Sequence, residues 1–110
     1  MTLFEKIIAG EIPCDKVYED ENVFAFRDIN PQAPTHILCV PKRVIARIAE
    51  ATESDEALLG KLLLAGQKIA KQEKLDNGFR LVINNGADGG ETVPHLHLHI
   101  IGGKSLKWVF

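Results

Sequence analysis

Near residue 100 the chain reads Pro94-His95-Leu96-His97-Leu98-His99-Ile100-Ile101. Histidine alternates with an apolar residue through this stretch, which is the pattern of a β-strand with two different faces. On an extended strand the three imidazoles would share one face, about 7 Å apart, and the apolar residues would share the other. The apolar face suits a protein core, whereas the imidazole face is too polar for one. Because imidazole titrates near neutral pH, three on one face indicate chemistry more than packing.

Length and composition are those of one globular domain, which we expect over residues 1–110. The chain is 45% hydrophobic and 25% charged, with a net charge of -2. It therefore lacks the basic surface that binding to nucleic acid requires, although backbone amides can still hold one phosphate of a mononucleotide. No apolar run is long enough to span a membrane, and residues 1–10 lack a signal-peptide layout. We expect a cytoplasmic protein with no membrane partner.

Local signals predict a short helix, five strands and one long helix. Thr2 and Glu5 form a capping box before the short helix, which Gly10 ends. The predicted strands cover residues 17–19, 23–28, 35–40 and 79–83, and the histidine stretch. Two lone cysteines, Cys14 and Cys39, lie outside any C-x-x-C motif, and we expect free thiols.

The long helix is capped by Thr52 or Ser54 and runs to about Leu75. Tight turns join several of the strands, and only this helix makes a long crossover. The order therefore predicts an α+β fold: a five-stranded, mostly antiparallel sheet with a short N-terminal helix and one long helix, both on one face.

A glycine-rich loop, Asn84 to Glu91, lies directly before the histidines. Its glycines permit positive φ and let backbone N–H groups converge on an anion, and Asn84 and Thr92 add side-chain donors. Such a loop alone is more often a tight hairpin, but its place beside three histidines favours a phosphate site. Nucleophile-elbow, P-loop and dinucleotide patterns do not occur, so histidine is the best nucleophile or base available.

A metal site is the competing interpretation. Catalytic zinc takes three protein ligands at about 2.1 Å, whereas three alternating histidines on a strand extend over about 13 Å. A single ion would therefore need His36 together with two histidines of the stretch. A metal-dependent hydrolase stays open as an alternative.

The alternating histidines resemble the signature of the histidine-triad (HIT) superfamily, and the resemblance extends over nearly the whole chain. The other stretches that carry it are Phe4-Glu5-Lys6-Ile7-Ile8, Glu11-Ile12-Pro13, Ala25-Phe26-Arg27-Asp28-Ile29, Pro31-Gln32-Ala33-Pro34-Thr35-His36 and Asp88-Gly89-Gly90. With Gly102-Gly103 and Trp108, the chain is most similar to the Hint branch, the histidine-triad nucleotide-binding proteins.

The resemblance implies the HIT fold and a homodimeric, metal-independent hydrolase of purine nucleoside phosphoramidates, in which AMP is joined to an amine. His97 matches the nucleophile, which would attack the α-phosphorus and form a nucleotidyl-histidine intermediate. His99 matches a phosphate contact, and His36 and His95 match supporting catalytic positions, with His36 a candidate proton relay. Hydrolysis of dinucleoside polyphosphates and nucleotide binding without catalysis remain alternatives.

The resemblance also implies a set of substrate-binding residues. Asp28 matches a carboxylate that accepts both ribose hydroxyls. The implied phosphate contacts are Asn84, Gly90, Glu91, Thr92 and Val93. The implied walls of the base pocket are Leu3, Phe4, Ile7, Phe26, Ile29 and Leu38, and Trp108 completes the set. Strand alternation gives independent support, since Phe26 falls on the same face as Asp28. Many relatives have Gln where this chain has Glu91, so a carboxylate is expected near the phosphate.

Overall fold

Two α-helices and five β-strands make up the fold of the computed structural model, which describes residues 1–108. The helices are α1 (Leu3–Ile8) and α2 (Glu56–Gln72). The strands are β1 (Lys16–Glu19), β2 (Val23–Arg27), β3 (Thr35–Pro41), β4 (Phe79–Val82) and β5 (Leu98–Gly102). The domain prediction also included residues 109 and 110, which lie outside the described residues. Within residues 1–108 the helices are too short or too polar to cross a membrane.

The strands form a single antiparallel sheet in the order β1-β2-β3-β5-β4. In the central β2–β3 pair, Phe24 lies opposite Val40 and Phe26 lies opposite Leu38. The predicted capping box is also present, because the Thr2 hydroxyl accepts from the N–H of Glu5. The predicted α+β class, with a short N-terminal helix and one long helix, is therefore confirmed.

The two helices cover opposite faces of the sheet, so the prediction that both lie on one face was wrong. Helix α2 packs in a core with one set of alternate strand residues: Val23, Ala25, Ile37, Cys39, Leu98 and Ile100. Helix α1 packs in a second core with the other set: Phe24, Phe26, Leu38 and Val40. The reason is that both faces of β2 and β3 are buried and apolar, and each face needs a cover to exclude water.

Strand β5 begins only at Leu98, so the first half of the histidine stretch is not the predicted strand. The N–H of Leu96 donates instead to the carbonyl of Ile45, at 2.7 Å. At the end of β3, Pro41 has no N–H, and its carbonyl oxygen lies 2.8 Å from Nε2 of His95. The main-chain pairing of β3 with β5 ends at Cys39 and Leu98, and beyond it the ring of His95, in place of a main-chain N–H, bonds to the carbonyl of Pro41.

The alternation of the stretch nevertheless persists through this break. Its apolar residues lie in the core beneath α2: Leu96, Leu98 and Ile100. Two imidazoles lie on the α1 side, where Phe4 meets His95 and His97 edge-on with ring centroids 5.7 and 4.9 Å apart. These rings are 0% and 6% exposed. The imidazole face is thus buried, contrary to the prediction, because hydrogen bonds hold both nitrogens of His95 and Nδ1 of His97.

Gly60 and Gly66 of α2 provide a matched test of the packing between helix and sheet. A Cβ at Gly60 would meet nothing within 4 Å, whereas one at Gly66 would lie 2.8 Å from Cδ2 of the buried Leu98. We expect Gly60→Ala to raise the free energy of unfolding by about 0.5–1 kcal/mol through helix propensity. Gly66→Ala should lose that gain or be destabilising. Urea unfolding of both variants checks this, and equal stabilisation would contradict the close approach of α2 to β5.

Candidate active site

A cavity of about 300 Å³ opens between α1, the end of β2 and the segment before β5. All the predicted walls of the base pocket line it: Leu3, Phe4, Ile7, Phe26, Ile29 and Leu38. Ile29 is 99% exposed and therefore forms part of the rim. The cavity is also lined by residues that were predicted to contact the ribose or the phosphate or to act in catalysis: Asp28, Thr92, Val93, His97 and His99.

The lining includes four residues that the sequence analysis did not assign to the site: Ile12, Pro13, Cys14 and Arg27. Cys14 is exposed and Cys39 is buried, and both are free thiols as predicted. The remaining predicted site residues do not line the cavity: His36, His95, Asn84, Gly90, Glu91 and Trp108. Trp108 is 82% exposed. The roles assigned to all of these residues stay predictions.

The backbone holds His97 in one tautomer. Its Nδ1 lies 2.8 Å from the carbonyl oxygen of His95, in a buried contact. Because a carbonyl oxygen only accepts, Nδ1 carries the proton and Nε2 keeps its lone pair. That is the state required of an imidazole that acts as a nucleophile or a base.

A chain of hydrogen bonds also fixes the protons of His36 and His99. The backbone N–H of Gln32 donates to Nδ1 of His36 at 3.0 Å, so neutral His36 carries its proton on Nε2. That nitrogen lies 2.9 Å from Nδ1 of His99, which accepts, so the proton of His99 is on Nε2. Nε2 of His99 is buried and has no hydrogen-bond partner among residues 1–108. It is an unused donor in the ring next to His97, with centroids 5.1 Å apart.

Burial keeps these histidines neutral at pH 7. It lowers the pKa of His99 to about 4, and the neighbouring His97 and His36 act in the same direction. Burial also lowers the pKa of His36, although the carboxylate of Asp28, at 3.5 Å from its Nε2, opposes the shift. The pKa of His95 is lowered by burial too. The directions of the hydrogen bonds deduced above for His36 and His99 therefore hold at neutral pH.

Four of the eight main-chain N–H groups in residues 84–91 of the glycine loop donate to acceptors within the loop. The N–H groups of residues 89–91 donate to carbonyls within the loop at 3.0–3.1 Å, and the side chain of Asn84 donates to the carbonyl of Gly89 at 2.7 Å. They do not converge on an anion as predicted. The N–H groups of Thr92 and Val93 bond to no described residue, and both residues line the cavity. Of the residues from 84 to 93, only Thr92 and Val93 line the cavity, so the main-chain donors available to it here lie just beyond the glycines.

The carboxylate of Glu91 is neutralised by Arg47, a residue that the sequence analysis missed. Arg47 contacts both carboxylate oxygens, at 3.0 Å from Nε and 3.1 Å from Nη2, and also pairs with Glu50. The N–H of Gly86 donates to the same carboxylate at 2.9 Å. Arg47 and then Gly86 lower the pKa of Glu91. The Glu91 carboxylate is therefore paired with a cation, and its hydrogen bond from Gly86 closes the glycine loop.

One group of potential metal ligands occurs among the described residues: Asp28, His36 and His99, whose ligand atoms lie within 4.8 Å of one another. This differs from the predicted set, which combined His36 with two histidines of the stretch. Nε2 of His36 carries a proton because Gln32 occupies Nδ1. For Nε2 of His36 to coordinate a metal, its proton would have to be lost or to move to Nδ1, and a proton on Nδ1 would break the hydrogen bond from Gln32.

The open antiparallel sheet and its buried histidines define a protein of the histidine-triad class. A family model described as the HIT domain matches residues 9–106, and the chain belongs to this family.

Individual relatives extend the likeness over almost the whole chain. A HIT family hydrolase from Legionella pneumophila has a TM-score of 0.96 and 48% identity, covering 98% of this chain and 97% of that chain. A histidine triad nucleotide-binding protein from Candida albicans has a TM-score of 0.83 and 30% identity, covering 100% and 84%. A 14 kDa zinc-binding protein of Zea mays is 51% identical, covering 97% of this chain and 85% of that protein.

The lowered pKa of His99 makes the stability of the fold depend on pH. Between about pH 6.5 and 4 the unfolded chain binds a proton at this residue that the folded protein does not, so the free energy of unfolding falls as the pH falls through this window. We expect His99→Gln to flatten the pH dependence of Tm between pH 4 and 6.5. Lys104→Gln, on the exposed surface, is the control. An unchanged slope in His99→Gln would contradict the assignment.

Proposed function

We propose that this protein hydrolyses purine nucleoside 5′-phosphoramidates, as does the Hint branch that its sequence resembles. The observation that carries the proposal is that two imidazoles with complementary nitrogens line one cavity: His97, whose Nε2 keeps a lone pair, and His99, whose buried Nε2–H has no partner among the described residues. A phosphoryl group needs these two partners: a nucleophile in line with the leaving group, and donors for its oxygens.

In the proposed reaction, Nε2 of His97 forms a bond to the α-phosphorus and the P–N bond to the amine breaks. The amine leaves with a proton taken from water. The nucleotidyl-imidazole is cationic while Nδ1 keeps its proton, and the carbonyl of His95 at 2.8 Å stabilises that charge. The hydroxide that this proton transfer leaves then attacks phosphorus, and the bond to Nε2 breaks, which releases AMP and returns the electron pair to Nε2.

His99 and the loop after the glycines supply the neutral donors for the phosphoryl oxygens. Nε2–H of His99 and the N–H groups of Thr92 and Val93 face no competing acceptor among the described residues. His36 orients His99 through the 2.9 Å hydrogen bond. A proton relay through His36 would require its bond from Gln32 to break, so this geometry favours an orienting role.

The charges around the cavity favour a singly charged phosphoryl group. Arg27 is the one Lys or Arg side chain in the described lining, and its guanidinium pairs with Glu73 at 2.8 Å and Asp15 at 3.6 Å. A polyphosphate chain would therefore meet no uncompensated cation here, whereas the α-phosphoryl group of a phosphoramidate carries one negative charge. This argues for phosphoramidates over dinucleoside polyphosphates.

Asp28 suits the ribose of such a substrate. Its Oδ1 accepts from the N–H of Asn30 at 2.9 Å, which fixes the carboxylate at the cavity edge. A carboxylate accepts only, so two vicinal hydroxyls are its natural partners. The apolar lining under α1 is then left for the base.

The name of the zinc-binding relative in Zea mays raises the alternative of a zinc-dependent mechanism. Such a mechanism fits this site poorly. The nearest candidate ligands are Asp28, His36 and His99, and the backbone of Gln32 fixes a proton on the coordinating nitrogen of His36. No step of the proposed reaction uses a metal.

The reaction is tested with adenosine 5′-phosphoramidate esters of an alkylamine. We expect turnover in EDTA equal to that without it, a trapped nucleotidyl adduct that mass spectrometry maps to His97, and a loss of kcat/KM of about 1000-fold or more in His97→Ala. His97→Ala should still bind AMP. Turnover abolished by EDTA, an adduct on another residue, or faster hydrolysis of diadenosine polyphosphates would overturn the proposal. Binding of AMP without turnover would indicate a nucleotide-binding module.

We also propose that the chain forms a homodimer through β4 and α2. Strand β4 ends the described sheet with an unpaired edge, and Leu81 on it packs against Gly66 of α2. Large apolar side chains on the two elements remain exposed: Leu63, Leu64, Phe79 and Leu81. An unpaired edge flanked by exposed apolar residues favours pairing with a second copy.

Sedimentation equilibrium tests this interface. We expect a dimer for the unmodified chain and a monomer for Leu81→Lys, because the charge would lie within the paired edge. Val44→Lys, at an exposed apolar residue outside both elements, should remain dimeric. A monomer for the unmodified chain, or a dimer that Leu81→Lys leaves intact, would contradict this assignment.

A further inference from the structure

We propose that Thr2 is a positioning residue for His97 and acts through His95. Oγ1 of Thr2 lies 2.9 Å from Nδ1 of His95, so the cap of α1 and the histidine stretch are joined directly. This inference rests on the proposed role of His97 as the nucleophile. The family resemblance assigns no role to Thr2, whose sequence signal is that of a helix cap.

The direction of each hydrogen bond in this connection follows from its neighbours. The carbonyl of Pro41 only accepts, so Nε2 of His95 donates to it, at 2.8 Å. Neutral His95 then has a lone pair on Nδ1, and the hydroxyl of Thr2 must donate to it. The same hydroxyl accepts from the N–H of Glu5 at 3.1 Å. A residue at position 2 must therefore both donate and accept.

The ring of His95 is anchored at both nitrogens for a structural reason. The segment from His95 to His97 precedes β5, and the sheet ladder does not hold it. Its main chain is held by few bonds, chiefly from Leu96 to the carbonyl of Ile45 at 2.7 Å. The fully buried ring of His95 therefore fixes where its own carbonyl group lies.

That carbonyl group is the acceptor for Nδ1 of His97, at 2.8 Å. If the ring of His95 shifts, the acceptor shifts, and Nδ1 of His97 loses the partner that keeps the proton there. The proton can then occupy Nε2, which removes the lone pair that attacks phosphorus. The hydrogen bond that Thr2 donates thus supports the reactive tautomer of His97 through His95.

Three variants at position 2 separate donation from helix capping. Thr2→Ser keeps both functions, and Thr2→Val keeps neither. Thr2→Asp keeps the cap but offers Nδ1 of His95 no proton, so His95 must take up a proton to keep that contact. Glu5→Ala is the matched control, because it removes the bond from the N–H of Thr2 to Oε1 of Glu5, at 2.8 Å, and leaves the bond to His95 in place.

The experiment measures kcat, KM and the pH profile on an adenosine phosphoramidate, with 15N NMR of the His97 ring as a readout independent of turnover. We expect Thr2→Val and Thr2→Asp to lower kcat by about 10-fold or more with KM changed less than 3-fold. The reason is that loss of a residue that positions the nucleophile slows the chemical step more than it weakens substrate binding. Their NMR spectra should show loss of the single Nδ1–H tautomer. For Thr2→Asp the optimum should move to lower pH, because only a protonated His95 can donate to the carboxylate and keep both of its anchors. Thr2→Ser and Glu5→Ala should remain within 3-fold of the unmodified chain in kcat.

Equal losses of kcat in Thr2→Val and Glu5→Ala would overturn the inference in favour of helix stability alone. If Thr2→Val does not fold, Thr2→Asp with kcat and the His97 tautomer unaltered over the whole pH profile, including pH values at which His95 is neutral, would overturn it equally. If the unmodified chain shows no turnover, the proposed reaction fails. The tautomer of His97 in the Thr2 variants then decides whether the structural connection exists.

Discussion

A buried imidazole is costly unless its ring nitrogens are hydrogen-bonded, and this cost governs the arrangement around α1. In His95 both nitrogens are bonded, one to the carbonyl of Pro41 and one to the hydroxyl of Thr2. In His36 both are bonded, to Gln32 and His99. Satisfying these rings interrupts the histidine strand, ties the start of the chain to the end of β3, and leaves one nitrogen of His97 and one of His99 for the cavity.

The sequence predicted those features whose cause is local. The capping box of Thr2 and Glu5 and the alternation of Phe24, Phe26, Leu38 and Val40 depend on neighbours in the chain or on strand period, and they were confirmed. The break before Leu98 could not be predicted, since it depends on the Pro41 carbonyl taken by a ring 54 residues away. The placement of the helices was wrong for a similar reason: a pattern shows that both faces of a strand are apolar, but not which helix covers each.

The candidate site shows the same division. The cavity gathers the apolar walls and several polar residues that the resemblance implied, including Asp28 and His97. The sequence analysis gave no role in the site to Gln32, Arg47 and Thr2, which set protons and charges there, because a contact between residues distant in the chain leaves no distinctive signal in a sequence. For Glu91 the sequence predicted a carboxylate near the expected phosphate position, but not its partner Arg47, 44 residues distant.

The unused N–H of His99 places the proposed reaction and the stability of the fold in conflict. A buried donor without an acceptor in the described chain weakens the folded state, and a neighbour able to accept from it would make the protein more stable. Such a neighbour would also occupy the position where a phosphoryl oxygen is expected. Variants selected for heat resistance alone should therefore tend to fill this gap and lose activity, so the unpaired proton persists only while the reaction itself is under selection.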